Sequence, residues 1–276
     1  MRIDSQQVVA MTNSSFFQTG LVSVTFRTLP VERVIALTVE AKLDAIEWGG
    51  DVHVPHGNLD VARRVRRLCD AAGVSIYAYG SYYRAGGAES PRFDDVLASV
   101  MELNAPCIRV WAGQVGSAGA SAADVSCVSE DLKRICDLAG ERTVDVSLEF
   151  HDDTLADTPQ SAIALIERTN RPNLYSYWQP RHGRSVAQNL ADIELLWPDL
   201  RDVHVFHWWP DHRIRHPLID GADRWRAYMK ALARGRIHTL ALEFVRGDRP
   251  SQLFEDAKTL RLLADEVTSR SREEER

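Results

Sequence analysis

Short apolar runs alternate with segments of helical periodicity along almost the whole chain, and that alternation constrains the fold more than any single motif. Strand-like runs occupy 21–26, 44–48, 74–79, 107–111, 144–150, 174–178, 202–207 and 238–244. Between them, 30–42, 59–72, 93–103, 123–139, 161–169, 187–196, 225–233 and 251–267 carry apolar positions at helical spacing, as Val31, Val34, Ile35 and Leu37 do in the first. Eight strand–helix units of roughly 30 residues each predict one α/β domain, a single (β/α)8 TIM barrel. An open doubly wound sheet is the rival, but no Gly-rich GxGxxG follows the first strand. Residues 1–20 read as a poorly ordered N-terminal leader, 21–268 as the barrel, and 269–276 as a charged, solvated C-terminal tail.

Charge and composition remove several function classes. The net charge of −6 lacks the surplus of Lys and Arg that a broad nucleic-acid footprint needs. No apolar run approaches the roughly 20 residues of a membrane span. The N-terminus has no charged segment leading into an apolar stretch with a cleavage site, so no signal peptide is expected. Cys69, Cys107, Cys127 and Cys136 show no CxxC spacing and read as reduced, buried thiols of a cytoplasmic protein. Neither nucleic acid nor membrane is expected as a partner, and assembly into homo-oligomers stays open.

The active site of such a barrel forms at the C-terminal strand ends. Two near-identical pieces, V-S-L-E-F-H (146–151) and L-A-L-E-F-V (240–245), place Glu149 and Glu243 there. An ionised carboxylate near the end of an apolar strand is costly unless a metal, cation or proton compensates it. The other strand ends add Glu47, Trp48, His53, Tyr79, Arg109, Trp111, His151, Gln179, His182, His204, His207 and Arg246, a set that suits a metal site walled by rings for a small polar ligand. Plainer roles compete. Glu149 or Glu243 alone could pair with Arg109 or Arg246, the tryptophans could be core aromatics, and His53 and His56 could be solvated loop residues. His212 and His216, in a basic loop, read as surface residues unless that loop folds over the site.

Strand-end glutamates on units five and eight, a histidine on unit seven and a polar ligand opening unit six resemble the xylose isomerase-like TIM-barrel superfamily of sugar phosphate isomerases and epimerases. The segments A-I-E-W-G-G-D-V-H-V-P-H-G (45–57), I-R-V-W-A-G (108–113) and H-P-L-I-D-G (216–221) look like that family's connecting pieces. The resemblance implies a metal held by Glu149, Gln179, His204 and Glu243. His204 matches the family's V-H-V-K-D pattern at Val203-His204-Val205-Phe206-His207, with His207 as second choice. Where the family carries D-x-x-H, this chain has Gln179-Pro180-Arg181-His182, a neutral amide in place of a carboxylate.

Three oxygens and one imidazole suit Mn²⁺ first, with Mg²⁺, Co²⁺ or Zn²⁺ compatible. The resemblance further implies an isomerase or epimerase acting on a sugar, keto-sugar or sugar-like polyol. Glu149 and Glu243 would exchange the proton beside a carbonyl through a metal-bound enediolate, and Glu47, Trp48, His53, Tyr79, Arg109, Trp111, His151, His182, His207 and Arg246 would contact substrate. The same deprotonation also serves a lyase or dehydratase, including 3-keto-glycoside cleavage. A barrel that binds a sugar without catalysis is the alternative from another class.

Overall fold

The computed structural model describes residues 15–274, and every structural statement below concerns them. Eight parallel strands close into a barrel in sequence order: β1 (Phe17–Val22), β2 (Ala45–Gly49), β3 (Ser75–Arg84), β4 (Cys107–Trp111), β5 (Asp145–Leu148), β6 (Leu174–Trp178), β7 (Leu200–Val205) and β8 (His238–Leu242). Helices α1 (Val31–Glu40), α2 (Leu59–Ala72), α3 (Phe93–Leu103), α4 (Ala122–Gly140), α5 (Pro159–Thr169), α6 (Val186–Leu196), α7 (Ala222–Leu232) and α8 (Pro250–Glu274) follow the strands in turn. The expected (β/α)8 architecture is therefore present. Local chemistry sets the helix ends: Asn58 accepts Val61 N–H at the start of α2, Gly73 closes it at φ 69°, and Ser121–Asp124 form a reciprocal cap on α4.

Side chains on a strand alternate between two environments. One set faces the helices and builds the main apolar core, with Leu21, Ile46, Trp48, Ile108, Val110, Val146, Leu148, Trp178, Val203, Val205, Leu240 and Leu242 all buried there. The other set fills the barrel interior, where Val22, Ala45, Tyr77, Cys107, Tyr177 and Ala241 make a smaller cluster. Higher in the interior the chain places charge, which decides where the site lies.

Most element boundaries lie within three residues of the sequence expectation, and the larger departures are these. The first strand starts at Phe17 rather than residue 21, inside the expected leader, whose residues 1–14 lie outside the described part. Its polar first half gives no apolar signal, yet Thr19 is fixed by its backbone N–H and Oγ1 to Asp44 Oδ2, at 2.9 and 2.8 Å. Ser23–Phe26, apolar enough to resemble a strand, forms a 3₁₀ turn whose Ser23 Oγ accepts Gly49 N–H at 2.9 Å. The charged segment from 269 onward continues α8 as far as Glu274 instead of leaving as a tail. β3 runs on to Arg84 through a register shift between Gly80 and Tyr83. All four cysteines are free thiols; Cys127 is exposed, correcting its expected burial, because it sits in the first turns of α4, where its Sγ meets the surface loop at Gly86 O, 3.7 Å away. No helix among the described residues is long and apolar enough to cross a membrane.

Candidate functional site

Glu149 and Glu243 are the residues immediately after β5 and β8, and each still extends the ladder: Glu149 N–H donates to Val110 O at 2.9 Å and Glu243 N–H to Val205 O at 3.0 Å. The pleat then turns both carboxylates inward, where they meet His204 near the end of β7. Ligand atoms from Glu149, His204 and Glu243 all lie within 4.8 Å of one another, and all three residues are buried. Donors around one ion stand about 2–2.6 Å from its centre, so a spread of this size fits a single cation. Gln179, the first residue after β6, brings Oε1 to 3.2 Å from His204 Nδ1, while Glu243 Oε2 lies 3.5 Å from that nitrogen. In the tautomer protonated at Nε2, three acceptors face one another with no donor between them; in the other, Nδ1–H donates to Gln179 Oε1 and only Glu243 is left without a donor. The first arrangement is unfavourable until a cation or proton joins it.

The two glutamates differ in their surroundings. Arg109 Nη1 and Trp111 Nε1 both donate to Glu149 Oε2, leaving Oε1 for another partner. Among the described residues, Glu243 takes no such donor; its polar neighbour is His204. Arg109 also donates through Nε to Glu47 Oε1 at 2.7 Å. Burial opposes both charges of that pair, but their attraction prevails, holding the Glu47 carboxyl down at about 2 and Arg109 more firmly protonated than a free guanidinium. Gly80 makes the arrangement fit: a Cβ there would lie 2.6 Å from both Arg109 Nη2 and Glu47 Oε1.

Above these carboxylates a cavity of about 430 Å³ opens at the C-terminal mouth of the barrel. Its walls include Tyr82, Arg109, Trp111, Glu149, His151, Gln179, His182, Trp208, His212, Arg215, Glu243 and Phe244. His151 stacks on Trp111 with centroids 5.1 Å apart, and His182 stacks on Trp208 at 5.5 Å. Burial pushes the His182 imidazole down, favouring its neutral form, and its Nδ1 is buried without a hydrogen-bond partner. Three non-glycine residues with positive φ, Tyr82, Asp153 and Phe244, line this cavity, so backbone strain collects around it. A larger cleft of about 1170 Å³ lies at the opposite end of the barrel. Its Arg171 and Arg201 are already paired with Asp137, Asp145 and Asp202, which fits the stabilising role of that end.

Several residues expected to contact substrate lie elsewhere. Trp48 and Tyr79 point to the helix side of their strands, where both are fully buried; Tyr79 O–H donates to Val54 O at 2.7 Å. Both His53 ring nitrogens are occupied, by Ser23 Oγ and Leu29 O, each at 3.1 Å. His207, past the end of β7, turns away toward Gly221 and His216. Arg246 is exposed and does not line the cavity. Glu47 lies beneath the cavity floor, out of substrate's reach. Tyr82, Arg215 and Phe244 line the cavity without having been expected as contact residues; Tyr82 reaches the mouth only through the register shift in β3. The 208–215 loop does fold over the site: Trp208 and Arg215 form an antiparallel bridge, and Arg215 Nη1 donates to Asp248 Oδ1 at 2.8 Å.

Residues 35–263 match the protein family described as xylose isomerase-like TIM barrel. A 79-residue stretch is 35% identical to a 3-dehydroshikimate dehydratase of Bacillus anthracis; it spans 29% of this chain and 28% of that protein, so the match covers little more than a quarter of the relative's length. Among solved structures, one described as the probable 3-DHS dehydratase AsbF of Bacillus anthracis is 17% identical, with a TM-score of 0.73 over 88% of this chain and 98% of that one. A Mycobacterium smegmatis xylose isomerase-like TIM barrel protein in complex with magnesium is 14% identical, with a TM-score of 0.67 over 93% and 99%. A D-psicose 3-epimerase solved in the presence of D-fructose is 12% identical, with a TM-score of 0.66 over 89% and 97%. At these identities the structural likeness is one of fold.

Proposed function

The chain belongs to the xylose isomerase-like TIM barrel family, and from that premise we propose that it is a metal-dependent isomerase or epimerase that removes and returns the proton beside a carbonyl in a small sugar, keto-sugar or polyol. The observation that carries this reading is the convergence of Glu149, His204 and Glu243 on one point at the floor of the cavity. Glu149, Gln179, His204 and Glu243 would hold a divalent cation, Mn²⁺ by preference, which supplies a Lewis acid to polarise a carbonyl and acidify the neighbouring C–H.

The chain's own residues do the rest. Glu243, free of arginine and tryptophan donors, is placed to take the proton. Glu149 is oriented by Arg109 and Trp111, which both donate to Oε2, and offers Oε1. Tyr82, Phe244 and the ring edges of Trp111 and Trp208, whose faces stack on other side chains, give apolar surface to the C–H side of a polyol, while His151 and His182 would meet its hydroxyls. The cavity volume of about 430 Å³ accommodates a monosaccharide or a small glycoside.

A second reading, a lyase or dehydratase with the same first step, draws support from the local similarity to the dehydratase. It also draws support from the unequal glutamates, since elimination needs one base where epimerisation needs one on each face of the substrate. One experiment tests both. Protein loaded with Mn²⁺ is incubated in D₂O with a panel of ketoses and 3-keto-glycosides, and NMR follows deuterium at the carbon beside the carbonyl. Wash-in with an isomeric product supports the first reading, and wash-in with loss of a leaving group supports the second. If no panel member exchanges, proton abstraction on this substrate class is wrong.

A further inference from the structure

The interior of a (β/α)8 barrel is ordinarily packed with apolar layers. Here a fully buried carboxylate, Glu47, occupies it directly below the cavity and gathers groups from four other strands. Its Oε1 takes Arg109 Nε at 2.7 Å. Its Oε2 accepts from Tyr77 O–H at 3.3 Å and Tyr177 O–H at 3.1 Å, and lies 3.5 Å from His204 Nε2. That nitrogen makes no hydrogen bond among the described residues; its separation from the carboxylate is long for a hydrogen bond and short for an electrostatic contact. The ring plane is set as well: Tyr177 packs edge-on against the His204 imidazole, with centroids 5.1 Å apart at 86°.

We propose that Glu47 is a positioning residue for the metal centre: it holds His204 with Nε2–H toward itself, so that the Nδ1 lone pair points at Gln179 and Glu243, and through Arg109 it fixes the orientation of Glu149. This rests on the metal-site reading given above. A ligating imidazole whose second nitrogen faces a carboxylate is fixed in one tautomer and made more basic. Glu47 therefore reaches two of the ligands without touching the cation or the substrate. Its route to Glu149 is a guanidinium with one donor on each carboxylate, a geometry that a shorter or neutral side chain at 109 would not reproduce.

The test uses the whole chain stripped of metal and titrated with Mn²⁺ alone. Glu47→Gln, nearly isosteric, should weaken Mn²⁺ affinity by about 10- to 100-fold, the usual cost of losing such a partner. In parallel, ¹⁵N NMR of the Mg²⁺-loaded wild-type protein should show His204 protonated at Nε2 and ligated through Nδ1, a signature that mere packing would not produce. Wild-type affinity within about twofold in a folded Glu47→Gln protein overturns the proposal. If that variant fails to fold, the wild-type NMR decides, and a proton on Nδ1 of the loaded protein overturns it equally. Absence of Mn²⁺ binding by the wild type removes both this proposal and the metal-site reading, whereas binding with an unaltered variant removes this one alone.

Discussion

Asp256 offers a test of the physics that holds the mouth of the barrel together. It lies on α8, 4% exposed, and its Oδ1 accepts Leu218 N–H at 2.8 Å and Gln252 Nε2 at 2.9 Å, tying down the segment that follows the 208–215 loop. Burial pushes its carboxyl from the 3.8 of a free aspartate up to about 6, against the hydrogen bonds that favour the charge. The folded state therefore holds this proton more tightly than the unfolded chain does. The group's contribution is intact below about pH 4, shrinks as pH rises toward 6, and levels off above it at a penalty of at most about 3 kcal/mol. Asp256→Asn keeps the acceptor and removes the charge. The stability of the variant relative to wild type should then grow by about 2 kcal/mol between about pH 4.5 and about pH 8. Urea or thermal melts at both pH values measure it, with roughly 2–4 °C of midpoint expected per kcal/mol in a chain near this size. Taking the difference between variant and wild type cancels all other titrations. A difference that stays constant with pH would refute the reasoning, whatever its sign.

Two further predictions concern the cavity floor. Glu149→Gln and Glu243→Gln should each abolish turnover, but only the first should be costly to the apo-protein. It deprives buried Arg109 of a carboxylate and should lower stability by about 1–3 kcal/mol in denaturant melts; Glu243→Gln should stay within about 1 kcal/mol of wild type. Equal destabilisation by both would mean that the Arg109 bridge to Glu149 contributes nothing. Gln179→Asp should tighten Mn²⁺ binding, because Oε1 already stands 3.2 Å from His204 Nδ1 and a third carboxylate beside Glu149 and Glu243 favours a hard divalent ion. Unchanged affinity in a titration of the stripped variant would show that this side chain does not reach the ion.

Most of the barrel can be read from the sequence because each unit carries its own signal: an apolar run, a capped amphipathic segment, then the next run. The exceptions have local causes. The start of β1 is displaced in the sequence reading because Gln18, Thr19 and Gly20 find their partners on Ser75, Asp44 and the neighbouring strands rather than in an apolar core. In the site, strand-end position singles out Glu149 and Glu243, and the family resemblance adds His204 and Gln179; the structure brings Glu149, His204 and Glu243 together, whereas strand parity was the missing information for their neighbours. Glu47 and Trp48 are adjacent at one strand end, and the pleat sends the first into the barrel and the second to the helices. Counting in twos from Cys107 and Ala241, both inward, would have placed Arg109, Trp111 and Glu243 inside. Nothing comparable reveals Tyr82, whose direction depends on the register shift in β3 and a φ of 54°.

The amide at position 179 acquires another meaning when formal charges are tallied. Around the candidate centre, Glu47, Glu149 and Glu243 are offset by Arg109 alone, leaving two negative charges on buried side chains at the cavity floor. A divalent ion brings that region to electroneutrality, whereas a carboxylate at 179 would leave it one charge short. A neutral, loaded floor neither attracts nor repels at a distance. An uncharged polyol would then be captured by shape and hydrogen bonds, at a rate that salt concentration hardly alters.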